Sequence, residues 1–459
     1  MLNNKNLENI CQKLKDADFT AYLVGGSVRD IFIGKQLKDF DLTTNARPEE
    51  IERVFPDCYS TIGVNRTDLG TRALKVGDDV FEITPYRRDG VYKDNRRPET
   101  VEFGVSLEDD LSRRDFTINA MAFDPLTDEL VDPFGGREDI RNRVIRCVGD
   151  ADARFQEDAL RILRAIRFSA TLDFIIDFAG TGVAMKQDRE LLYAISAERK
   201  RDELMKMMGA SPDGLNHGLT YLLTTHIMEI ILPEFCACMG VEQEPTHHSY
   251  DVGTHLKATA GNLSAGQPLL RLAGLLHDIG KPQAKTIEER PDGSSIVRFL
   301  GHEDISAAMA NVVMQRFRFS AEETDYVVSL IANHVIMYDR RWSDTALRRF
   351  IRKAGADRIF DLLLLREADV NARGKIDTHV ADCVDLRARI TKIMQEKPAV
   401  EVRDLAVDGH DVMRVLGIPP SPAVGKMLES LMQRVLETPA DNNKERLEQI
   451  MAQTGGTNG

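Results

Sequence analysis

Two periodicities divide this chain. Up to about residue 143, short apolar runs alternate with polar residues and turns: Tyr22–Val24, Asp39–Thr43, Ala73–Val76, Val80–Thr84 and Ala120–Phe123. Runs of this length, punctuated by Gly and Pro as far as Asp132-Pro133-Phe134-Gly135-Gly136, predict strands in a compact α/β domain. Beyond it the apolar residues recur at three- and four-residue steps, as in Leu160, Leu163, Ala165, Ile166 and Phe168, and predict helices to the end of the chain. Turn-rich stretches at Pro212-Asp213-Gly214, Gly266-Gln267-Pro268 and Pro291-Asp292-Gly293 separate the helical groups. A last amphipathic helix, through Val424, Met427, Leu428, Leu431 and Val435, follows Ile418-Pro419-Pro420-Ser421-Pro422. The expected organisation is an α/β head over residues 1–143, a helical neck over 144–211, a helical domain over 212–400 and a helical tail over 401–459. There is no internal repeat.

A length of 459 residues allows two to four domains with ample core. No apolar run is long enough to span a membrane, and Met1-Leu2-Asn3-Asn4-Lys5 lacks a signal-peptide core. The six cysteines, Cys11, Cys58, Cys147, Cys236, Cys238 and Cys383, show no zinc-ligand spacing. Free thiols in a reducing cytoplasm are therefore expected. The formal net charge of −13 disfavours indiscriminate nucleic-acid binding by the whole chain. Basic residues nevertheless cluster at Arg87, Arg88, Lys93, Arg96 and Arg97, at Arg113 and Arg114, from Arg137 to Arg146, and at Arg154, Arg161, Arg164 and Arg167. Such a stripe can hold a polyanion or can be spent in ion pairs; charge alone does not separate the two.

Chemistry is concentrated first in Gly25-Gly26-Ser27-Val28-Arg29-Asp30, followed by Asp39-Phe40-Asp41. A glycine pair after Ala21-Tyr22-Leu23-Val24 predicts a strand turning tightly into a helix, where backbone N–H groups can approach a phosphate. Asp39 and Asp41, at i and i+2 of a strand, point to one face. Two convergent carboxylates beside a phosphate cradle suit Mg²⁺-dependent nucleotidyl transfer. Glu82, in the strand-like Phe81-Glu82-Ile83-Thr84, is a candidate third carboxylate. The run Arg113-Arg114-Asp115-Phe116-Thr117-Ile118-Asn119-Ala120 supplies forked donors for a triphosphate and polar groups for a ribose.

In this order and spacing, these segments resemble the class II tRNA nucleotidyltransferase and bacterial poly(A) polymerase family. The resemblance continues through Asp132–Gly136, Glu157-Asp158-Ala159-Leu160-Arg161 and Ser196-Ala197-Glu198-Arg199. It implies a polymerase-β-like head with a mixed sheet, then an all-α neck, body and tail. It implies Asp39 and Asp41 as Mg²⁺ ligands and catalytic residues, Glu82 beside them, and Gly25, Gly26, Arg29, Arg114, Asp115, Asn119 and Arg164 around the nucleotide. Asp158 and Arg161, expected at i and i+3 on one helix, would read the base. An aspartate accepts from the exocyclic amino group of cytosine or adenine, and an arginine donates to the adjacent ring nitrogen; uracil and guanine reverse both roles. The implied partners are tRNA, CTP and ATP, and the implied reaction is addition of C, C and A to the tRNA 3′ end. Arg88–Pro98 resembles the family's flexible loop, which argues against CC-only addition. A-only addition and poly(A) synthesis share the motifs, although a tail of mixed charge, Lys444-Glu445-Arg446-Leu447-Glu448, argues against the latter.

A second constellation runs His255, His277-Asp278-Ile279-Gly280-Lys281, His302, His334 and Asp369. Leu272, Ala273, Leu275 and Leu276 predict a buried helix carrying His277 and Asp278, and buried charged groups need partners. The ordered set resembles the HD phosphohydrolase superfamily. That likeness implies His255, His277, Asp278 and Asp369 as ligands of a second divalent metal, with His302 and His334 for a further metal or a phosphate. Gly253-Thr254-His255-Leu256-Lys257 departs from the pattern by lacking a hydroxyl residue after the histidine. Rival readings are hydrolysis at this second site as the main activity, and an RNA-binding protein without catalysis. The intact carboxylates and the Asp158/Arg161 pair count against the last.

Overall fold

The computed structural model describes residues 4–37, 40–60, 69–90, 100–244, 249–291, 295–374 and 379–455. The chain forms two compact units, Met1–Cys236 and Ala237–Gly459.

In the first unit, seven strands form one mixed sheet in the order β3-β4-β5-β2-β1-β8-β9. They are β1 (Ala21–Val24), β2 (Phe40–Thr44), β3 (Tyr59–Ser60), β4 (Arg72–Val76), β5 (Asp79–Pro85), β8 (Ala122–Phe123) and β9 (Leu130–Val131), with β6 (Arg87–Asp89) and β7 (Val101–Phe103) paired in a separate hairpin. Only β2 and β5 run parallel; the other pairs are antiparallel. Alternation fixes the faces: Phe40 and Phe81 are partners in register, buried and stacked with ring centroids 4.8 Å apart. The next pair along, Asp41 and Glu82, therefore points away from that apolar layer. As predicted, Gly25 at φ +67° turns β1 into the helix Gly26–Phe32. Ser27 ties this turn to β2, its Oγ accepting from the Asp41 N–H at 3.1 Å.

The helices after the sheet belong to the same unit. Leu160–Leu172 buries Ile162, Leu163, Ala165, Ile166 and Phe168 and packs against Ala197–Met208 and Pro212–Thr224. The close approach of Pro212–Thr224 uses its glycines: a Cβ on Gly214 would lie 2.1 Å from the Ala170 carbonyl oxygen. Residues 212–236 thus pack with the head and neck, whereas the turn signal at Pro212 suggests a boundary; that proline is instead the first residue of a helix capped by Ser211.

The second unit is helical apart from the hairpin Thr286–Glu289/Ser295–Arg298. Val252–Asn262, Pro268–Leu276, His302–Arg316, Ala321–Asn333 and Ile359–Asn371 pack on one another around Leu256, Leu272, Leu275, Leu330 and Leu365. The terminal helices Gly409–Leu416, Pro422–Glu437 and Lys444–Gly455 pack together, and Arg349–Glu437 and Arg352–Glu429 ion pairs link them to Asp344–Ala354. All six cysteines are free, and no described helix is long and apolar enough to cross a membrane.

Candidate functional site

The first unit holds a polar cavity of about 470 Å³ lined by Gly25, Gly26, Arg29, Asp41, Arg113, Arg114, Asp115, Asn119, Asp158, Leu160, Arg161, Arg164, Phe168 and Arg199. The cavity thus gathers all the predicted nucleotide-binding residues and Asp41. Glu82 is not in its lining but sits beside Asp41 in register on the adjoining strand. Asp39 lies outside the described residues, as does most of the predicted flexible loop, residues 91–99.

The floor is built by glycine. A Cβ on Gly25 would stand 3.3 Å from Arg114 Nη1 and 3.7 Å from Asp41 Oδ2, and one on Gly26 3.3 Å from Arg29 Nη2. Side chains at these positions would crowd the guanidinium groups and the carboxylate that face the cavity. The arginines are held by buried carboxylates. Asp110, fully buried, accepts from Arg113 Nη2 at 2.6 Å and from Arg114 Nη2 at 3.0 Å. Burial alone would raise its pKa, but Arg114 and Arg113 outweigh that and hold it below the ordinary value. Asp115 does the same for the opposite wall. Its Oδ2 accepts from Arg164 Nε and Nη2 at 2.8 and 2.5 Å, its Oδ1 from Asn119 Nδ2 at 3.0 Å. Asn119 Oδ1 in turn accepts from Arg29 Nη1 at 2.9 Å. Against the penalty of burial, Arg164 and Asn119 keep the Asp115 carboxyl well below the usual range. Asp115 is predicted as a nucleotide contact; its oxygens instead hold Arg164 and Asn119.

The Asp158/Arg161 pair is built differently from its expected geometry. Asp158 is not helical: at φ −140°, ψ 101° it breaks the run between the helices Ala151–Glu157 and Leu160–Leu172. Its Oδ1 accepts from the Leu160 N–H at 3.1 Å, and its Oδ2 pairs with Arg199 Nη2 at 2.8 Å, not with Arg161. Arg161 Nη1 donates to Glu157 and to the Arg154 carbonyl, and Nη2 to the Arg113 carbonyl at 2.9 Å. Both side chains nevertheless line the cavity. Much of the predicted basic stripe is similarly spent inside the unit, in pairs such as Arg154–Glu157, Arg164–Asp115 and Arg167–Glu203. Asp110, Phe168 and Arg199 are contributors that motif reading does not assign. For Asp110, the signal was its i, i+3 and i, i+4 spacing to Arg113 and Arg114.

Within the second unit, His255, His277, Asp278 and Asp369 converge as predicted. His255 Nε2 lies 3.3 Å from His277 Nε2, 3.5 Å from Asp278 Oδ2 and 3.2 Å from Asp369 Oδ1; His277 Nε2 is 3.2 Å from Asp278 Oδ2. Tetrahedral donors about 2.1 Å from a metal stand about 3.4 Å apart, so this set fits one. Asp278 Oδ1 faces a further pair, His302 Nε2 at 3.0 Å and His334 Nε2 at 3.4 Å. It is buried without a hydrogen bond of good geometry, as befits an atom awaiting a cation. In His277, His302 and His334, Nδ1 lies 2.6–2.8 Å from a backbone carbonyl, and in His255 3.4 Å. A proton on Nδ1 leaves the Nε2 lone pair turned inward, the usual orientation of metal-binding imidazoles. His277 and Asp278 follow the helix Pro268–Leu276 rather than lying within it. Burial notwithstanding, His277 and Lys281 hold Asp278 well below the normal carboxylate range. A cavity of about 700 Å³ opens onto Asp278, His302, His334 and Asp369, with Lys281, Arg298, Arg366 and Arg373 also in its lining.

Comparison with known proteins agrees with the first site. The poly(A) polymerase head domain matches residues 21–146, "Probable RNA and SrmB-binding site of polymerase A" residues 179–239, and tRNA nucleotidyltransferase domain 2 residues 294–451. The CCA-adding enzyme of Geobacillus stearothermophilus is 32% identical over 441 residues, 95% of this chain and 94% of that one. The chain belongs to the CCA-adding enzyme family. A Lactobacillus helveticus member is 44% identical over 226 residues, 49% of this chain and 54% of its own length. The crystal structure of the Bacillus stearothermophilus CCA-adding enzyme in complex with CTP superposes with a TM-score of 0.67 at 26% identity, covering 98% of this chain and 96% of that one. The family's polymerase-β-like head is thus the mixed sheet described above.

Proposed function

We propose that the protein adds C, C and A to the 3′ end of tRNA from CTP and ATP, releasing pyrophosphate and using no nucleic-acid template. One observation carries this reading: a single cavity gathers Asp41, the glycine turn, the arginine-rich segment and the Asp158/Arg161 pair in a member of the CCA-adding enzyme family. Arg29, Arg113 and Arg114 face the triphosphate, their geometry set by Asp110, Asn119 and Asp30. Asp158 accepts from the exocyclic amino group of C or A. Arg161 Nη2 carries a second hydrogen beyond the one given to Arg113, and donates it to the ring nitrogen. Uracil or guanine leaves both groups unpaired, at roughly 1–3 kcal/mol each. The 3′-hydroxyl oxygen attacks the α-phosphorus, and the bond to pyrophosphate breaks. Asp39 and Asp41, with Glu82 adjacent, are hard oxygen donors suited to Mg²⁺, which when bound activates the hydroxyl and neutralises the leaving group.

The test presents tRNA lacking its 3′ end with each labelled nucleotide alone and then with CTP and ATP together. Two C residues followed by one A are expected. Addition of A only after a pre-existing CC identifies an A-adding enzyme, and long A tails a poly(A) polymerase; either overturns the reading. With a tRNA substrate and six free thiols, the cytoplasm is the compartment that fits.

A second activity is favoured by the shared Asp278. Two donor groups, His255/His277/Asp278 and Asp278/His302/His334, meet at one carboxylate, an arrangement suited to divalent metal and phosphoester hydrolysis. Asp369, 3.2 Å from His255, completes the first group. Lys281, Arg298, Arg366 and Arg373 line the same cavity and suit a phosphate. Release of phosphate from 2′,3′-cyclic nucleotides, lost on chelation, tests this; no hydrolysis with any divalent metal overturns it.

A further inference from the structure

We propose that Arg199 is a positioning residue for base selection, holding the Asp158 carboxylate in the orientation that accepts from the incoming base. This rests on the reading that Asp158 contacts the base.

Asp158 stands on an extended residue between two helices, so its own backbone leaves the side chain little support. Two donors fix it. The Leu160 N–H, at the start of the following helix, holds Oδ1 at 3.1 Å, and Arg199 Nη2, from a different helix, holds Oδ2 at 2.8 Å. A carboxylate has about four acceptor sites, so each oxygen keeps capacity for a base amino group while its direction is set. Rotation about the Cα–Cβ or Cβ–Cγ bond would break one of the two contacts. Arg161 does not take over this task, because its terminal nitrogens donate to Glu157, Arg154 and Arg113.

The support is itself anchored. Arg199 is in the first turn of Ala197–Met208, which packs on Leu160–Leu172, and Arg167 Nε meets Glu203 Oε2 at 2.5 Å between the same two helices. Arg199 also lines the nucleotide cavity, yet its Nη1 is buried with no hydrogen-bond partner among the described residues. A purely structural ion pair gains nothing from an orphaned donor, which costs stability. A residue placed to aim a neighbour at a ligand tolerates one.

Arg199→Gln and Arg199→Lys are measured for kcat and KM with all four nucleoside triphosphates on tRNA lacking its 3′ end, alongside Asp158→Ala. Binding of a base-free ribose triphosphate and the thermal midpoint are read on the same proteins. For Arg199→Gln we expect the kcat/KM ratio of CTP over UTP to fall about tenfold, mainly through a higher KM for CTP, the effect of losing about one orienting hydrogen bond. Arg199→Lys, which keeps the charge, recovers part of the ratio, and affinity for the base-free triphosphate stays as in the parent. An unchanged CTP/UTP ratio in Arg199→Gln while Asp158→Ala collapses it overturns this inference alone. An equal loss for all nucleotides and for the base-free triphosphate also overturns it. An unchanged ratio in Asp158→Ala overturns the base-reading assignment itself. Should the glutamine variant not fold, the lysine variant decides: a parental CTP/UTP ratio with a parental KM for CTP overturns the proposal, and a reduced ratio supports it.

Discussion

Asp41 and Glu82 face one another in register across the single parallel strand pair of the sheet, on the side away from the stacked rings of Phe40 and Phe81. The apolar pair fixes the register, and a one-residue slip would bury the carboxylates. If these oxygens serve the metal, Asp41→Asn removes a ligand charge without changing shape and lowers nucleotide addition roughly a thousandfold or more, whereas Glu82→Gln costs less. Circular dichroism should show both variants folded. Full activity in Asp41→Asn would remove Asp41 from the metal site.

How much of this was legible follows from what each signal depends on. The glycine turn and the strands depend on local geometry, a positive φ and a period of two, and they lie where the pattern puts them. Asp158 was misjudged because Glu157-Asp158-Ala159-Leu160 reads as uninterrupted helix. The break comes from a cap, with the Asp158 side chain taking the Leu160 N–H and its carbonyl the Arg161 N–H at 2.9 Å. Asp110 was passed over because Glu108-Asp109-Asp110 looks like the solvated acidic first turn of a helix. Only tertiary packing tells which of the three is buried. The order of His255, His277, Asp278 and Asp369 was readable, but the inward direction of each Nε2 depends on backbone carbonyls that no spacing reveals.

Asp110 gives an acid-sensitive head. Its pKa is held below the normal value in the folded state by Arg114 and Arg113 against the cost of burial. Its pairs therefore stabilise the fold fully above about pH 4, where the unfolded carboxyl is ionised, and that contribution is lost as pH falls through the lower folded value. Asp110→Asn leaves two partly buried guanidinium groups without their charge partner and should cost about 3 kcal/mol at neutral pH. Urea titrations should show the gap between parent and variant narrowing below pH 4. A constant gap would place the cost in lost packing rather than in charge.

Asp115→Asn should act on nucleotide affinity through its neighbours. The variant cannot hold Arg164 with a charged fork, and Asn119, which fixes Arg29, loses a carboxylate acceptor. The expected result is a higher KM for CTP and ATP alike, by about tenfold, with selection between C and U little changed. A selective loss for one nucleotide would instead make Asp115 a base contact.

Because Asp278 belongs to both donor groups of the second unit, substitutions there should not be equivalent. His302→Ala removes one ligand of one group, so metal analysis after equilibration with a divalent cation should fall from two ions per chain towards one. Asp278→Asn weakens both groups and should bring the count towards zero, while Lys281, which pairs with Asp278 Oδ2 at 2.6 Å, loses its carboxylate. Nucleotide addition should persist in both variants, since Asp41 and its cavity lie in the other unit. Equal occupancy in His302→Ala and the parent protein would assign His302 to phosphate rather than metal. A parent holding no metal would leave the cluster as an ion-pair network built on Asp278.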